Sequence, residues 1–201
     1  MKFNTIDHKA KDDALKFSVN ALRQAYPHLV AVSETSNPLV TAAKNVRIEL
    51  ARAFPGVKFS VTTSRFAGGD SLRVKWTDGP TVPQVDAISG RYQAGHFDGM
   101  EDLYTYRKDQ SWPVAFGDAK YVQSTRDYSP ALVQIAIDYL WDRYRPEAPK
   151  ITVEDYFEGR AWSIVAVKGA CPGDANAQSQ IHRFAYKYDC ISQSLLDGYP
   201  Y

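Results

Sequence analysis

Two short runs of alternating residues constrain this chain more than anything else in it. In the first, Val57, Phe59 and Val61 alternate with Lys58, Ser60 and Thr62; in the second, Leu72, Val74 and Trp76 alternate with Arg73 and Lys75. A period of two belongs to a strand with one buried face and one wetted face. Between the runs, Ser64-Arg65-Phe66-Ala67-Gly68-Gly69-Asp70 reads as a hairpin loop whose glycines supply positive φ angles. The pair predicts a β-hairpin with one apolar face and one polar, basic face. Its apolar side needs cover, and helices are the cover the remaining patterns offer.

Residues 9–26 carry Leu15, Val19, Leu22 and Tyr26 at three- and four-residue steps, and Tyr26-Pro27 ends that helix. Asn37-Pro38 is an N-cap followed by proline at the first helical position. Ala43, Val46, Leu50, Ala53 and Phe54 form the apolar stripe of this second helix, which Pro55-Gly56 stops. After the Asp78-Gly79-Pro80 turn, Thr81 caps a helix carrying Val85, Ile88 and Tyr92 and ending near Gly95. Residues 97–118 read as turn-rich and aromatic, and 119–124 as a third strand. Ser129-Pro130 opens the clearest helix, with Leu132, Val133, Ile135, Ala136, Tyr139, Leu140 and Tyr144 inward and Pro146 as its stop. Trp162, Ile164 and Ala166 alternate as a short strand, and the segment from Gly169 to Tyr201 is less periodic. The expected fold class is α+β: an antiparallel hairpin-based sheet with helices packed mainly on one face. The expected organisation is one compact unit, with an N-terminal helical segment (1–40), an α+β domain (41–150) and a C-terminal strand and arm (151–201).

Composition narrows the class. Of 201 residues, 44% are hydrophobic and 23% charged, which excludes wholesale disorder, a collagen-like repeat and a coiled-coil rod. No run approaches the length of a membrane span. The opening residues Met1 to His8 lack the apolar stretch of a secretory signal, and Asp12 and Asp13 follow soon after, so a cytoplasmic location is expected. Cys171 and Cys190 are then expected as reduced thiols. The net charge of +1 conceals an asymmetry. Residues 41–75 hold seven bases (Lys44, Arg47, Arg52, Lys58, Arg65, Arg73, Lys75) against Glu49 and Asp70, a local +5. Residues 97–160 hold twelve acids against eight bases. One segment can therefore present a basic face on a chain that is not basic throughout.

Few residues offer chemistry. The four histidines are scattered, and the one dense cluster is His96-Phe97-Asp98-Gly99-Met100-Glu101-Asp102. A histidine and three carboxylates can hold a cation, but Asp98-Gly99 also reads as a turn and Glu101-Asp102 as first-turn acids of a helix. The structural reading is the expectation, with no metal and no cofactor. Cys171 and Cys190 lack the partners of a zinc site, and a thiol nucleophile would need His182 brought beside it by folding. Gly68-Gly69 has no Gly-Lys-Ser/Thr ending, so it is no phosphate loop. What remains is the hairpin. Lys58, Arg73 and Lys75 share its polar face, with Arg65 and Phe66 at the tip, beside the hydroxyls of Ser60, Thr62 and Ser71. Such a set tracks a phosphate backbone or meets an acidic protein, and an ordinary solvated surface has the same composition. The aromatics Phe184, Tyr186, Tyr188, Tyr199 and Tyr201 are the next candidate contact set.

Four blocks occur in order: Ala42-Ala43-Lys44-Asn45-Val46-Arg47, then Phe54 to Val61, then Gly69 to Pro80, then Phe97 to Asp102, with Phe116-Gly117-Asp118-Ala119-Lys120-Tyr121-Val122 to Arg126 as a continuation. This series resembles the large polyvalent protein-associated domain numbered twenty-nine in its series. The resemblance implies a component of phages or conjugative elements, often one part of a very large protein with attached enzymes. It supplies no established catalytic residues. The implied protein is a non-enzymatic accessory factor in a bacterial host cell, anti-restriction or anti-CRISPR in purpose, which binds a host defence complex or nucleic acid and has no membrane role. The alternatives are a DNA-binding factor of conjugation or phage replication, and a metal-dependent nuclease using the 96–102 carboxylates.

Overall fold

The computed structural model describes residues 4–100, 102–169 and 171–195. Helix α1 (Asn4–Ala25) is followed by α2 (Pro38–Ala53), which starts as its sequence dictates. The Asn37 side chain accepts from the Leu39 N–H and Pro38 occupies the first turn. Strands β1 (Ser60–Phe66) and β2 (Gly69–Thr77) form the hairpin. They are antiparallel and pair Ser60 with Lys75, Thr62 with Arg73, and Ser64 with Ser71. Then come α3 (Val82–Ser89), a 3-10 turn over Gly90–Tyr92, β3 (Gly95–Asp98), β4 (Leu103–Tyr106), α4 (Ser111–Phe116) and β5 (Tyr121–Asp127). The C-terminal elements are α5 (Pro130–Tyr144), α6 (Val153–Phe157), a 3-10 turn over Arg160–Ser163, α7 (Pro172–Ala175), α8 (Ala177–Lys187), and the two-residue strands β6 (Tyr188–Asp189) and β7 (Ser194–Leu195). The fold class is α+β, and no helix among the described residues is long and apolar enough to cross a membrane.

The main sheet has the order β1-β2-β5. At one end the Lys120 N–H donates to the Asp70 carboxylate (2.7 Å), and at the other the Asp78 N–H donates to the Asp127 carbonyl (2.9 Å), so β5 runs beside β2 in the same direction. Strands β3 and β4 form a separate antiparallel hairpin.

The chain groups into two compact units: residues 1–75 with 83–125, and residues 76–82 with 126–201. In the first, α2 packs on β1, and α1 and α2 both pack on α4. Its core contains Ala42, Val46, Leu50, Leu72, Val74, Val85, Tyr92 and Phe116, all essentially without exposure. Buried Asn45 cross-links it, accepting from the Val30 N–H and donating to the Val30 and Phe116 carbonyls. Glu49 takes the Arg91 guanidinium and the Tyr92 hydroxyl at 2.6 Å each, while Arg91 lies 4.8 Å above the Trp112 ring. That burial and the adjacent Glu49 carboxylate push the Tyr92 phenol far up, so it stays a donor. Gly117 sits at φ +85, where a Cβ would strike the Pro38 carbonyl, so only glycine lets α4 end against α2. In the second unit, α5 packs on α8 and α6 around Val133, Ile137, Leu140, Ile181 and Phe184.

Several expectations need correction. The strand begins at Ser60, so Val57, Lys58 and Phe59 precede it, and Phe59 is half-buried rather than core. Ser64, Arg65 and Phe66 are strand rather than loop, because the turn has only two residues, Ala67 and Gly68. Residues 97–118 hold the β3–β4 hairpin and a helix. Trp162 to Ala166 form no strand: Trp162 lies in a 3-10 turn and is 61% exposed, and Val165 makes an isolated bridge to Asn176. The weakly periodic C-terminal segment contains α8, a well-formed helix capped by Asn176, while Tyr199 and Tyr201 lie outside the described residues.

Candidate functional site: the outer face of the sheet

The register decides which side chains share the outer face. Val61 pairs with Val74, and Val61, Leu72, Val74 and Trp76 are buried. Alternation then sends Ser60, Thr62, Ser64 and Phe66 of β1 outward, together with Ser71, Arg73 and Lys75 of β2. Each cation lies opposite a hydroxyl: Lys75 faces Ser60, and Arg73 faces Thr62. From β5, Gln123 joins the face, since its amide oxygen accepts from Arg73 Nη2 at 3.5 Å. Tyr121 and Thr125 share its phase. A shallow concavity of about 230 Å³ is lined by Thr62, Thr63, Ser64, Phe66, Ser71 and Arg73. It is floored by hydroxyls and a guanidinium, all donors to an oxyanion.

At the turn end the face becomes aromatic. The Phe66 ring lies near-parallel to Tyr121, 6.2 Å between centroids and 21° between planes. Tyr121 meets Tyr104 edge-on at 5.6 Å, and Tyr104 meets Tyr106 at 5.0 Å. Phe66 reaches across because its cross-strand neighbour is Gly69, which has no side chain. The Lys120 stem fills that gap, for a Cβ at Gly69 would lie 2.5 Å from Lys120 Cδ, and Gly69 holds φ +140. Lys120 Nζ donates to the Gly68 carbonyl at 2.7 Å and sits 5.0 Å from the Tyr104 ring and 5.4 Å from the Tyr121 ring. The Tyr104 hydroxyl donates to the Lys120 carbonyl at 2.5 Å. Burial, then the neighbouring Tyr106, Tyr121 and Asp118, push this phenol up to about 12, so it remains a donor at neutral pH. Burial and the charge of Asp70 also raise Asp118.

Of the residues singled out from the sequence, Arg73 and Lys75 stand together on this face and Phe66 borders it. Lys58 does not belong to it, lying exposed in the connection before β1. Arg65 is exposed but alternates onto the other side, opposite Asp70 in the register. Sequence reasoning missed Lys120, Tyr104, Tyr106, Tyr121 and Gln123. The alternation of Tyr121, Gln123 and Thr125 was a readable signal for part of this set; the meeting of Phe66, Tyr121 and Tyr104 had none.

The other candidate groups have structural surroundings. Asp98 accepts from the Met100 N–H at 2.9 Å in the β3–β4 turn, and Glu101 lies outside the described residues. No set of three metal-ligating side chains gathers among the described residues. His182 packs edge-on against Tyr128, and the half-buried Cys190 thiol, pushed up by burial, accepts from Arg126 at 3.3 Å. Both cysteines are free thiols.

No curated protein and no solved structure matches the chain. A family model does match, over residues 37–129, from the N-cap of α2 to the N-cap of α5. That span holds the β1–β2 hairpin, the third strand, and the rings of Phe66, Tyr104, Tyr106 and Tyr121. Residues 37–129 of this chain match the model of the large polyvalent protein associated domain 29, a domain of phage and mobile-element polyvalent proteins.

Proposed function

We propose that the protein serves its mobile element by binding rather than by turnover, and that the outer sheet face contacts the phosphate backbone of nucleic acid. The purpose that fits this role is protection of incoming DNA from a host defence such as a restriction or CRISPR effector. The observation that carries the reading is the pairing of Arg73 and Lys75 with Thr62 and Ser60 on a strand face exposed among the described residues, with Gln123 beside them. Cations give affinity for phosphates, and hydroxyl and amide donors set their position. Neither group reacts, which is why binding is favoured over catalysis.

The test is a double charge reversal, Arg73→Glu with Lys75→Glu, in a phage or plasmid protection assay and in direct DNA binding. Both are expected to be lost with the fold intact. Lys58→Glu, off the strand, is the control and is expected to do less. Full protection by the folded double variant would reduce the face to a solvated surface. Salt separates this reading from capture of an acidic host protein: each lost duplex phosphate contact flattens the log–log salt slope by about 0.9.

A further inference from the structure

We propose that the nucleic acid this face accepts is single-stranded, with its bases stacked on Phe66, Tyr121 and Tyr106 and its phosphates on Lys120, Arg73 and Lys75. The inference rests on the nucleic-acid reading above and deepens it. A duplex hides the π-faces of its bases in its own stack, whereas a single strand bares them, and proteins that hold single strands combine a cationic track with aromatic platforms. Both halves are present here, the cations on the outer face of the main sheet and the rings where its turn end meets the β3–β4 hairpin.

The rings are arranged as a surface and not as a core. Phe66 is 50% exposed and Tyr106 is 61% exposed, and they flank Tyr121 and Tyr104 in one continuous chain of ring contacts. Tyr104 is the fixed member, its hydroxyl bound to the Lys120 carbonyl. Exposed rings that are already immobilised lose little freedom when a base stacks on them. Lys120 places a cation beside the same rings, held by the Gly68 carbonyl and by its contacts with Tyr104 and Tyr121. Two carboxylates are close. Asp70 already accepts the Lys120 N–H, and Asp118 is raised by burial and by Asp70. Both lie at the ring end; beyond them Arg73 and Lys75 continue the cationic stretch along β2, and Asp127 of β5 shares the outward phase at its far end. The two cations sit four and six residues from Gly69, roughly 13 and 20 Å along the strand. That length suits a short stretch of extended strand, with bases at the turn end and backbone toward Lys75.

The experiment measures binding of the full chain to three fluorescent probes at one salt concentration: an oligothymidylate, an abasic oligomer of equal length, and a duplex of equal length. The oligothymidylate is expected to bind tightest. Phe66→Ala and Tyr106→Ala are each expected to weaken it by about 5- to 100-fold and to leave the abasic probe unchanged. Phe66→Tyr, which keeps a ring, is expected to retain binding and guards against a loss caused by a disturbed turn. Equal affinity for the oligothymidylate and abasic probes, with both weakened by Arg73→Glu/Lys75→Glu, would overturn the stacking inference and leave the phosphate reading standing. Duplex binding as tight as single-strand binding would overturn it too. If none of the three probes binds, the parent reading fails, and this inference with it.

Discussion

Arg73 and Arg126 lie on neighbouring strands of one sheet, yet one serves the surface and the other the fold. Arg73, in the first unit, is exposed and makes one long bond to Gln123. Arg126, in the second, is 7% exposed and spends its donors on fixed acceptors: the carbonyls of Asp78, Gly79, Ala185 and Tyr188, and the Cys190 sulfur. It thereby ties the turn after β2 to the end of α8, where the helix dipole also favours a cation. The difference teaches that residue type does not assign an arginine its role; the number of fixed acceptors around it does. A guanidinium whose three nitrogens all donate to fixed acceptors is structural, and one with donors to spare can take a phosphate.

The sharpest way to break this contrast is Arg126→Leu. It fills much of the volume but orphans several carbonyls, and is expected to cost on the order of 4 kcal/mol, since hydrogen bonds to charged groups contribute about 1.5–3 kcal/mol each. Urea unfolding reads it, and an unchanged midpoint would show that the carbonyl cage contributes nothing. Truncating the surface cations is the opposite case. Arg73→Ala and Lys75→Ala are each expected to shift stability by no more than about 0.5 kcal/mol. A loss of several times that would mean the outer face is part of the fold's framework rather than a contact surface.

Asp155 is the intermediate case, a half-buried charge with fixed partners. The Thr152 N–H, then Arg160 and the Thr152 hydroxyl, hold its carboxyl down from 3.8 to about 2. A carboxylate whose folded pKa is depressed stabilises the fold above its unfolded pKa and loses that effect as pH falls toward the folded one. Stability is therefore expected to decline between about pH 4 and pH 2 through this group, with a smaller decline in Thr152→Ala. Carboxyl chemical shifts followed through an acid titration check it, and a midpoint for Asp155 near 3.8 would contradict the capping geometry.

The sequence patterns reached some elements and missed others for identifiable reasons. The cap at Asn37-Pro38 and the opening of α5 at Ser129-Pro130 were legible because capping is decided by residues within one turn of each other. The alternation of Leu72, Val74 and Trp76 was legible because burial on a sheet follows period two. Extending the first run back to Val57 failed because alternation continues past the point where backbone pairing stops. The run from Trp162 to Ala166 misled in the same way: the α5–α8 pair buries Ala166 and leaves Trp162 and Val165 exposed, so apolar alternation there is not a strand. Helix α8 was missed because Gln180 occupies a buried position on its inner face, which blurs the apolar period.

By itself, then, the sequence determined the hairpin, its two-faced character, the helices that cover one side and the presence of Arg73 and Lys75 on the other. These follow from local rules of period, capping and turn chemistry. The three-stranded order and the direction of β5 came only from the tertiary structure, as did the meeting of Phe66, Tyr121 and Tyr104 around Lys120 and the enclosure of Arg126. Each joins residues from separate elements, some of them more than fifty positions apart. Such contacts carry no local signature, because closing a long loop costs nearly the same whichever partners meet at its ends. Packing and the supply of hydrogen-bond acceptors decide between them.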